Sequence, residues 1–161
     1  MNLAPSWLPP IVSVSGDWNK IIILLYKIFK KDFQYGKLYF QCYTVGWDER
    51  ILPGDSHEEG FWHLITKEDM KTGERLPDFR RAERLPWCAP TIRNSEDPVV
   101  KTWDLKARGK IRTYLWLEKM DYVVVLEKRK NKKKVFLITA YYVEGKATRG
   151  SLMKKYNSRS Q

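Results

Sequence analysis

The sequence predicts an α+β domain in which helices come first and a three-stranded antiparallel meander comes last. Apolar residues recur three and four positions apart from Trp18 to Phe33, which is typical of an amphipathic helix. Near the C-terminus, three β-rich runs at 112–117, 122–127 and 135–143 are joined by short polar links. Helices followed by a group of strands are typical of α+β domains.

The N-terminal part is predicted to be an extended arm followed by the first helix. Residues 1–16 contain three prolines and a glycine, which favour an arm packed loosely on the rest of the chain. Asp17 is the expected N-cap of the helix, and Gly36 is the residue expected to end it. Residues 17–161 are therefore predicted to form a single domain.

Between the first helix and the meander, the sequence predicts short strands, loops and a second helix. The runs 38–45 and 61–66 are interpreted as strands. Residues 46–60 contain proline and glycine and are predicted to be a loop, while 67–75 is polar and irregular. The second helix is predicted to begin near Pro77, because proline is tolerated in a first turn.

The charge of the chain indicates a polyanionic partner. Its 161 residues carry a formal net charge of +11, with a pI near 9.6, and nucleic acid is the polyanion that we expect. No apolar run is long enough to span a bilayer, and the order of regions in a signal peptide is lacking, so we expect no membrane association. Cys42 and Cys88 are expected to be reduced and buried, as in a cytoplasmic protein.

The last strand contains two candidate site residues. A strand that buries Phe136 and Ile138 on one face points Thr139 and Tyr141 to the other. Their side chains then emerge about 7 Å apart. A hydroxyl and a phenol at this spacing are suited to holding a phosphate, although threonine and tyrosine are also common in strands for packing alone.

A histidine and an arginine complete the candidate catalytic set. His63, on the predicted strand 61–66, titrates near neutral pH and can take or give a proton there. His57, in the predicted loop, is a second candidate. Arg112 opens the first strand of the meander, and its planar guanidinium suits a phosphate and the charge that develops on it. The sequence has no metal-ligand spacing, glycine-rich phosphate loop or metal-nuclease carboxylate pair, so no metal or cofactor is predicted.

Further cationic and aromatic residues are candidates for nucleic-acid binding. They lie on the predicted second helix, on the meander and in the link before the last strand, and they are Arg80, Arg81, Arg84, Tyr114, Lys128, Arg129, Lys132, Lys133 and Lys134. Clustered cations attract phosphates whatever the base sequence. A run of charge is also the ordinary composition of a solvated turn.

Several short motifs resemble phage-associated nuclease-like domains of the Barnase–EndoU–colicin–RelE-like fold group. These motifs are Phe61-Trp-His-Leu64, an arginine-rich helix ending near Trp87, Tyr114-Leu-Trp-Leu117, Tyr122-Val-Val-Val-Leu126 and Phe136-Leu-Ile-Thr-Ala-Tyr141. The resemblance covers residues 60–143. It implies helices packed on a small, strongly curved antiparallel sheet that ends in the meander.

The resemblance also implies an activity. Toxins and ribonucleases of this group cut RNA without a metal by activating the ribose 2′-OH, which leaves a 2′,3′-cyclic phosphate. By this resemblance His63 is the general acid/base, Thr139 and Tyr141 hold the phosphate or orient the base, and Arg112 stabilises the phosphorane. The chain departs from a two-histidine mechanism because it has no second histidine with a clear role.

The sequence therefore predicts a metal-independent endoribonuclease, phage- or prophage-encoded, acting in the cytoplasm of a bacterial host cell. Its expected partner is RNA, with tRNA among the candidate targets, and an immunity or inhibitor protein is a further candidate because a toxic ribonuclease normally needs one. Two alternatives stay open. One is a non-catalytic nucleic-acid-binding module that stacks bases on Tyr114 and Tyr141. The other is a phage structural or interaction protein that uses Trp7, Trp18 and the arm.

Overall fold

The computed structural model describes residues 3–129 and 132–159, which form a mixed α+β fold around a curled six-stranded sheet. The predicted α+β class is confirmed. The helices are α1 Trp18–Phe29, α2 Glu59–Ile65, α3 Phe79–Glu83, α4 Leu85–Arg93 and α5 Gly145–Asn157. The strands are β1 Tyr39–Phe40, β2 Tyr43–Gly46, β3 Thr66–Glu68, β4 Arg75–Pro77, β5 Val100–Ala107, β6 Lys110–Leu117, β7 Tyr122–Lys128 and β8 Lys134–Tyr142.

The order of strands in the large sheet is β1-β2-β8-β7-β6-β5. Strands β5 to β8 pair in succession and antiparallel, whereas β2 joins β8 in parallel. The parallel pairing runs only from Thr44↔Lys134 to Gly46↔Phe136. Beyond Phe136, α2 and α3 pack against β8 instead of a strand. Strands β3 and β4 form a separate hairpin.

Each face of the sheet carries its own apolar cluster. On one face, Leu115, Val124 and Leu126 pack with Leu25 of α1 and Leu85 of α4 in the main core. On the other face, α5 places Leu152 over a smaller cluster that contains Trp103, Trp116 and Val123. The sheet is therefore covered on both sides, and the helices that precede it in the chain lie mainly on the first face.

The first helix forms for the reasons that the sequence indicates. The Asp17 side chain accepts a hydrogen bond from the Asn19 backbone N–H, at 3.0 Å, and so caps α1 as predicted. Ile21, Leu25 and Phe29 are buried on one stripe. The chain continues as a π-helical segment, Lys30–Gln34, which keeps Phe33 in the core.

Residues 61–66 are not a strand, as predicted, but belong mainly to α2. Phe61, Leu64 and Ile65 are buried, and positions i, i+3 and i+4 share a face on a helix rather than on a strand. The Gly60 N–H donates to the Asp48 carbonyl at 2.8 Å. A Cβ at Gly60 would lie 3.0 Å from that carbonyl oxygen, so the close approach of α2 to the chain at Asp48 depends on glycine.

Three other sequence-based boundaries are wrong. The run 38–45 is split into β1 and β2 by a tight turn in which Gln41 has a φ of 53°. The segment 67–75, predicted to be irregular, contributes to the β3–β4 hairpin. The predicted second helix is two helices, α3 and α4, because the backbone leaves helical geometry at Arg84.

A β-bulge in β8 changes which side chains are buried. Val125 pairs with Thr139 and Leu126 pairs with Leu137, so Ile138 is the extra residue. The predicted burial of Phe136 and Ile138 in the core is wrong, because both are only partly buried. The buried residues of β8 are Val135, Leu137 and Ala140.

Residues 3–16 run extended along the domain and are anchored at several points. The Trp7 indole N–H donates to the Asp97 carboxylate at 2.9 Å, and the Trp87 indole N–H donates to the Pro9 carbonyl at 2.8 Å. The Val12 N–H donates to the Glu83 carbonyl, also at 2.9 Å. Trp7 and Val12 also pack against the main core.

The two cysteines differ in their surroundings. Both are free, and Cys88 is buried as expected, whereas the expectation for Cys42 is wrong because the β1–β2 turn exposes it. Among the residues described, none of the helices has the length and apolar character needed to cross a bilayer.

Candidate functional site

His63 and Thr139 line the same cleft, which has a volume of about 570 Å³. The cleft lies where β2 stops pairing with β8 and α2 takes its place. Its remaining lining residues are Trp47, Asp48, Glu49, Arg50, Gly60, Arg129, Phe136, Leu137 and Ile138. The fold therefore brings together two residues that are far apart in the sequence, and it adds arginines and carboxylates on the same walls.

His63 is a half-exposed residue on α2, with 38% of its side chain accessible. Its Nε2 lies 3.8 Å from Glu59 Oε2, one helical turn earlier. Burial and the nearby charge of Arg75 lower the pKa of His63 below its ordinary value, while Glu59 and Asp48 oppose this shift. The imidazole is consequently neutral at physiological pH and able to accept a proton.

Arg81 on α3 connects His63 to the last strand. Its Nη1 lies 3.1 Å from the His63 backbone carbonyl and 3.2 Å from Thr139 Oγ1, and it donates to both. It also donates to the Thr66 carbonyl at 3.1 Å. The guanidinium carbon lies 5.6 Å from the centre of the Tyr141 ring. Arg81 thus contacts three predicted catalytic residues: the backbone of His63, the hydroxyl of Thr139 and the ring of Tyr141.

The position of Arg81 follows from the start of α3. The Asp78 side chain caps the helix by accepting from the Arg81 backbone N–H, and Asp78 Oδ2 lies 3.3 Å from Arg81 Nε. Only 17% of the Arg81 side chain is exposed. Within the described part of the chain, the hydrogen bonds of the guanidinium come from Nη1, the buried Nε has no hydrogen-bond partner, and Arg81 is not among the residues that line the cleft.

Thr139 and Tyr141 lie on the same face of β8, opposite Val125 and Val123. The bulge at Ile138 places this pair on the face opposite that of Leu137. Burial raises the pKa of Tyr141, with Tyr114 acting in the same direction and Arg81 opposing it. The phenol is therefore protonated at neutral pH and can donate a hydrogen bond.

Arg112 is not brought into the cleft. Its Nε lies 2.8 Å from Glu127 Oε2, and Arg129 Nη1 lies 3.0 Å from Glu127 Oε1. The Glu127 side chain is 3% exposed, so it is a buried anion held between two arginines. Arg112 thus contacts Glu127, which in turn pairs with Arg129 on the cleft wall.

The predicted binding residues of α3 and β6 have different surroundings. Arg80 is largely exposed, and its guanidinium lies over the Tyr142 ring. Arg84 is mostly buried, with its guanidinium over the rings of Tyr142 and Trp87. Tyr114 stacks on Trp103 with ring centroids 5.1 Å apart, and Lys155 lies above it. Of these residues, Arg80 has the most accessible side chain.

In the basic link between β7 and β8, some side chains contact other residues of the domain and others are exposed. Lys128 Nζ pairs with Asp104 at 2.8 Å, and Lys134 Nζ lies 5.0 Å from the centre of the Phe136 ring. Lys132 and Lys133 are exposed. Lys130 and Asn131 of the same run lie outside the described residues.

His57 does not share the cleft with His63. Its ring centroid lies 3.9 Å from that of Tyr26, with the planes tilted by 30°, and the ring contacts Phe61 edge-on at 5.3 Å. The neighbouring Glu58 is buried and accepts a hydrogen bond from the Tyr26 hydroxyl at 2.6 Å. His57 is therefore a packed aromatic neighbour of α1 and not a second acid/base group in the cleft.

Sequence reasoning placed Arg81 among general binding residues and did not single out the cleft residues Asp48, Arg50 and Trp47. The only local signal for Arg81 was its position three residues after the N-cap Asp78, a spacing that is common on helix surfaces. In the described ranges, 3–129 and 132–159, no group of three or more His, Cys, Asp or Glu is arranged to hold a metal ion.

Comparison of the chain with protein-family models, curated proteins and solved structures gives no match.

Proposed function

We propose that the chain is a metal-independent endoribonuclease whose catalytic residues are His63, Arg81, Thr139 and Tyr141. The observation that carries the proposal is the position of Arg81, which donates to the His63 carbonyl and to Thr139 Oγ1 and lies over Tyr141. Arg81 takes the role first expected of Arg112, because Arg81 contacts Thr139 on the cleft wall whereas Arg112 is paired with buried Glu127; Arg81 and Tyr141 themselves lie behind the lining residues of the cleft.

In this mechanism the neutral imidazole of His63 removes the proton from a ribose 2′-OH. The 2′-oxygen attacks the adjacent phosphorus, and the bond to the 5′-oxygen breaks to leave a 2′,3′-cyclic phosphate. The Thr139 hydroxyl and the Arg81 guanidinium against it donate to the phosphoryl oxygens as negative charge develops on them. Tyr141 supplies a proton to the departing 5′-oxygen, a role for which its raised pKa keeps the phenol protonated.

The wider setting belongs to the same proposal. We assign the chain to the Barnase–EndoU–colicin–RelE-like fold group, which the succession of antiparallel strands β5 to β8 after the helices supports. The proposed substrate is RNA, with tRNA as one candidate target, in the cytoplasm of a bacterial host of a phage or prophage. An immunity or inhibitor protein is the proposed second partner.

The experiment is incubation of end-labelled RNA with wild type, His63→Ala, Arg81→Lys and Arg93→Ala in excess EDTA. We expect cleavage with cyclic-phosphate ends by wild type and by Arg93→Ala, which removes an exposed arginine of α4 that does not line the cleft. His63→Ala is expected to lose most of the rate. Arg81→Lys keeps the charge but lacks the planar fork, so we expect a loss of about 100-fold. Circular dichroism confirms that each variant is folded.

A non-catalytic RNA-binding module is the second candidate. It is favoured by the three protein acceptors that already surround Arg81 Nη1, because a guanidinium held in this way can serve structure alone. Intact RNA in every lane, with a mobility shift on a native gel, would reject the nuclease and support this candidate. Cleavage that persists in folded His63→Ala would reject the mechanism.

A further inference from the structure

We propose that the cleft continues into a second groove and that the substrate is a single-stranded RNA segment filling both. The inference that this segment is cut depends on the proposed function, whereas the binding path has its own structural basis. The second groove, here called the hairpin groove, has a volume of about 470 Å³. Its lining residues are Tyr43, Gly109, Ile111, Lys128, Arg129, Lys132 and Lys133.

Arg129 is the junction between the two cavities, since it lines both. Its Nη1 is anchored to Glu127 at 3.0 Å, and its guanidinium carbon lies 4.4 Å from the centre of the Phe136 ring. The side chain is nevertheless 41% exposed. RNA that passes from one cavity to the other would thus meet the guanidinium of Arg129, which is already oriented by its contacts. This position suits a backbone phosphate of the RNA.

The two cavities differ in charge, so each is suited to a different part of the RNA. Among the described residues, the lining of the hairpin groove includes four cations. Lys128 and Arg129 are paired with carboxylates outside the groove lining, so exposed Lys132 and Lys133 are the cations best placed for consecutive phosphates. The lining of the cleft includes Asp48 and Glu49 beside Arg50 and Arg129. Carboxylates repel phosphates but accept hydrogen bonds from base amino groups and ribose hydroxyls. The cleft therefore suits the nucleotide at the cleavage point, and the hairpin groove suits its neighbours.

Aromatic side chains in both cavities indicate that the bases are unpaired. Trp47 and Phe136 line the cleft, and Tyr43 lines the hairpin groove. Aromatic rings interleaved with cations along a groove are typical of sites for single strands, because only unpaired bases expose their faces for stacking.

The test measures binding separately from cleavage. Fluorescence anisotropy is recorded in EDTA with 2′-O-methyl RNA, which lacks the nucleophile and stays intact. The probes are a dinucleotide, a single-stranded octanucleotide, and the same octanucleotide annealed to its complement. The proteins are wild type, Tyr43→Ala, the double variant Lys132→Gln/Lys133→Gln, and the control Lys20→Gln/Lys27→Gln. The control removes the same charge from exposed positions on α1 that line neither cavity.

We expect the single-stranded octanucleotide to bind at least about 10-fold more tightly than either other probe, and Tyr43→Ala to weaken it about 10-fold. In a plot of log affinity against log salt, Lys132→Gln/Lys133→Gln should reduce the slope by about 1.4, the value for two lost single-strand phosphate contacts. Binding of the dinucleotide should not change in these variants.

Other outcomes separate this inference from the proposed function. Equal affinity for the dinucleotide and the octanucleotide, or for single strand and duplex, overturns the inference. So does a double variant that behaves like the α1 control. If binding has the expected length and strand dependence but unmodified RNA is never cleaved, the binding path is supported and the nuclease proposal fails.

Discussion

Arg81 Nη1 lies 3.2 Å from Thr139 Oγ1, a contact between residues 58 positions apart in the sequence. Because Thr139 accepts this hydrogen bond, the proton of its own hydroxyl is left to donate elsewhere. The same Arg81 nitrogen holds the His63 carbonyl. One side chain of α3 thereby sets the relative positions of α2 and β8, which are the two elements that carry the proposed base and phosphate donor.

Thr139→Val is expected to reduce single-turnover cleavage by about 100-fold, whereas Thr139→Ser should retain most of the rate. Valine matches the shape of threonine but removes the hydroxyl that is proposed to donate to the phosphoryl oxygen. The measurement is the cleavage rate at saturating protein, with the melting temperature as the check on folding. Equal rates for Thr139→Val and Thr139→Ser would show that the hydroxyl has no part in the reaction.

Glu59→Gln is expected to move the acid limb of the pH–rate profile to lower pH. Glu59 raises the pKa of His63, so its loss leaves the lowering effects of burial and Arg75 less opposed. Since the base must be neutral, kcat/KM rises as pH increases through the pKa of His63, which lies below its ordinary value of 6.5. The midpoint in Glu59→Gln should be lower still.

The pKa of His63 is read directly by NMR titration of its ring C–H signals in the same two proteins. Glu49→Gln is the matched control, because Glu49 lines the cleft but is not among the groups that shift His63. A midpoint that moves upward in Glu59→Gln, or moves equally in Glu49→Gln, contradicts the electrostatic account of His63.

Glu127→Gln is expected to lower the free energy of unfolding by about 1–3 kcal/mol, since it weakens charge-assisted contacts to a buried group. The change leaves Arg112 and Arg129 without their shared anion. Both arginines are partly exposed and can be rehydrated, which keeps the loss below that of a fully buried pair. Urea denaturation at neutral pH measures it, with the exposed Glu96→Gln as control; equal stabilities would contradict the structural role of Glu127.

Gly60→Ala is expected to destabilise the domain and reduce the cleavage rate. The new Cβ would lie 3.0 Å from both the Asp48 carbonyl oxygen and Trp47 Cδ1, so α2 must move away from the wall of the cleft. Gly150→Ala is the contrasting variant, because nothing lies within 4 Å of a Cβ at that position on α5. It should stabilise the protein by up to about 1 kcal/mol. Thermal unfolding that ranks the two variants in the opposite order would be inconsistent with this packing.

Some elements were predictable because their residues repeat with a single period. The stripe from Ile21 to Phe33 has helical spacing, and Asp17 caps the helix that it predicts. The β-rich runs near the C-terminus correspond to β6, β7 and β8. The short apolar run 61–66 was misassigned because six residues are too few to distinguish a helical period from a strand period.

The sequence by itself determined the α+β class, the first helix and the strong positive charge. It also identified His63, Thr139 and Tyr141 as candidate site residues. It did not locate the bulge at Ile138, since an extra residue in one strand is defined only by its pairing with the neighbouring strand. Nor did it separate Arg81 from Arg112. Each lies in a segment that the sequence makes a candidate for phosphate binding. Only the tertiary structure pairs Arg112 with Glu127 and brings Arg81 to Thr139. The reason is physical: the role of a charged side chain depends on which partners reach it within a few ångströms, and those partners come from distant segments.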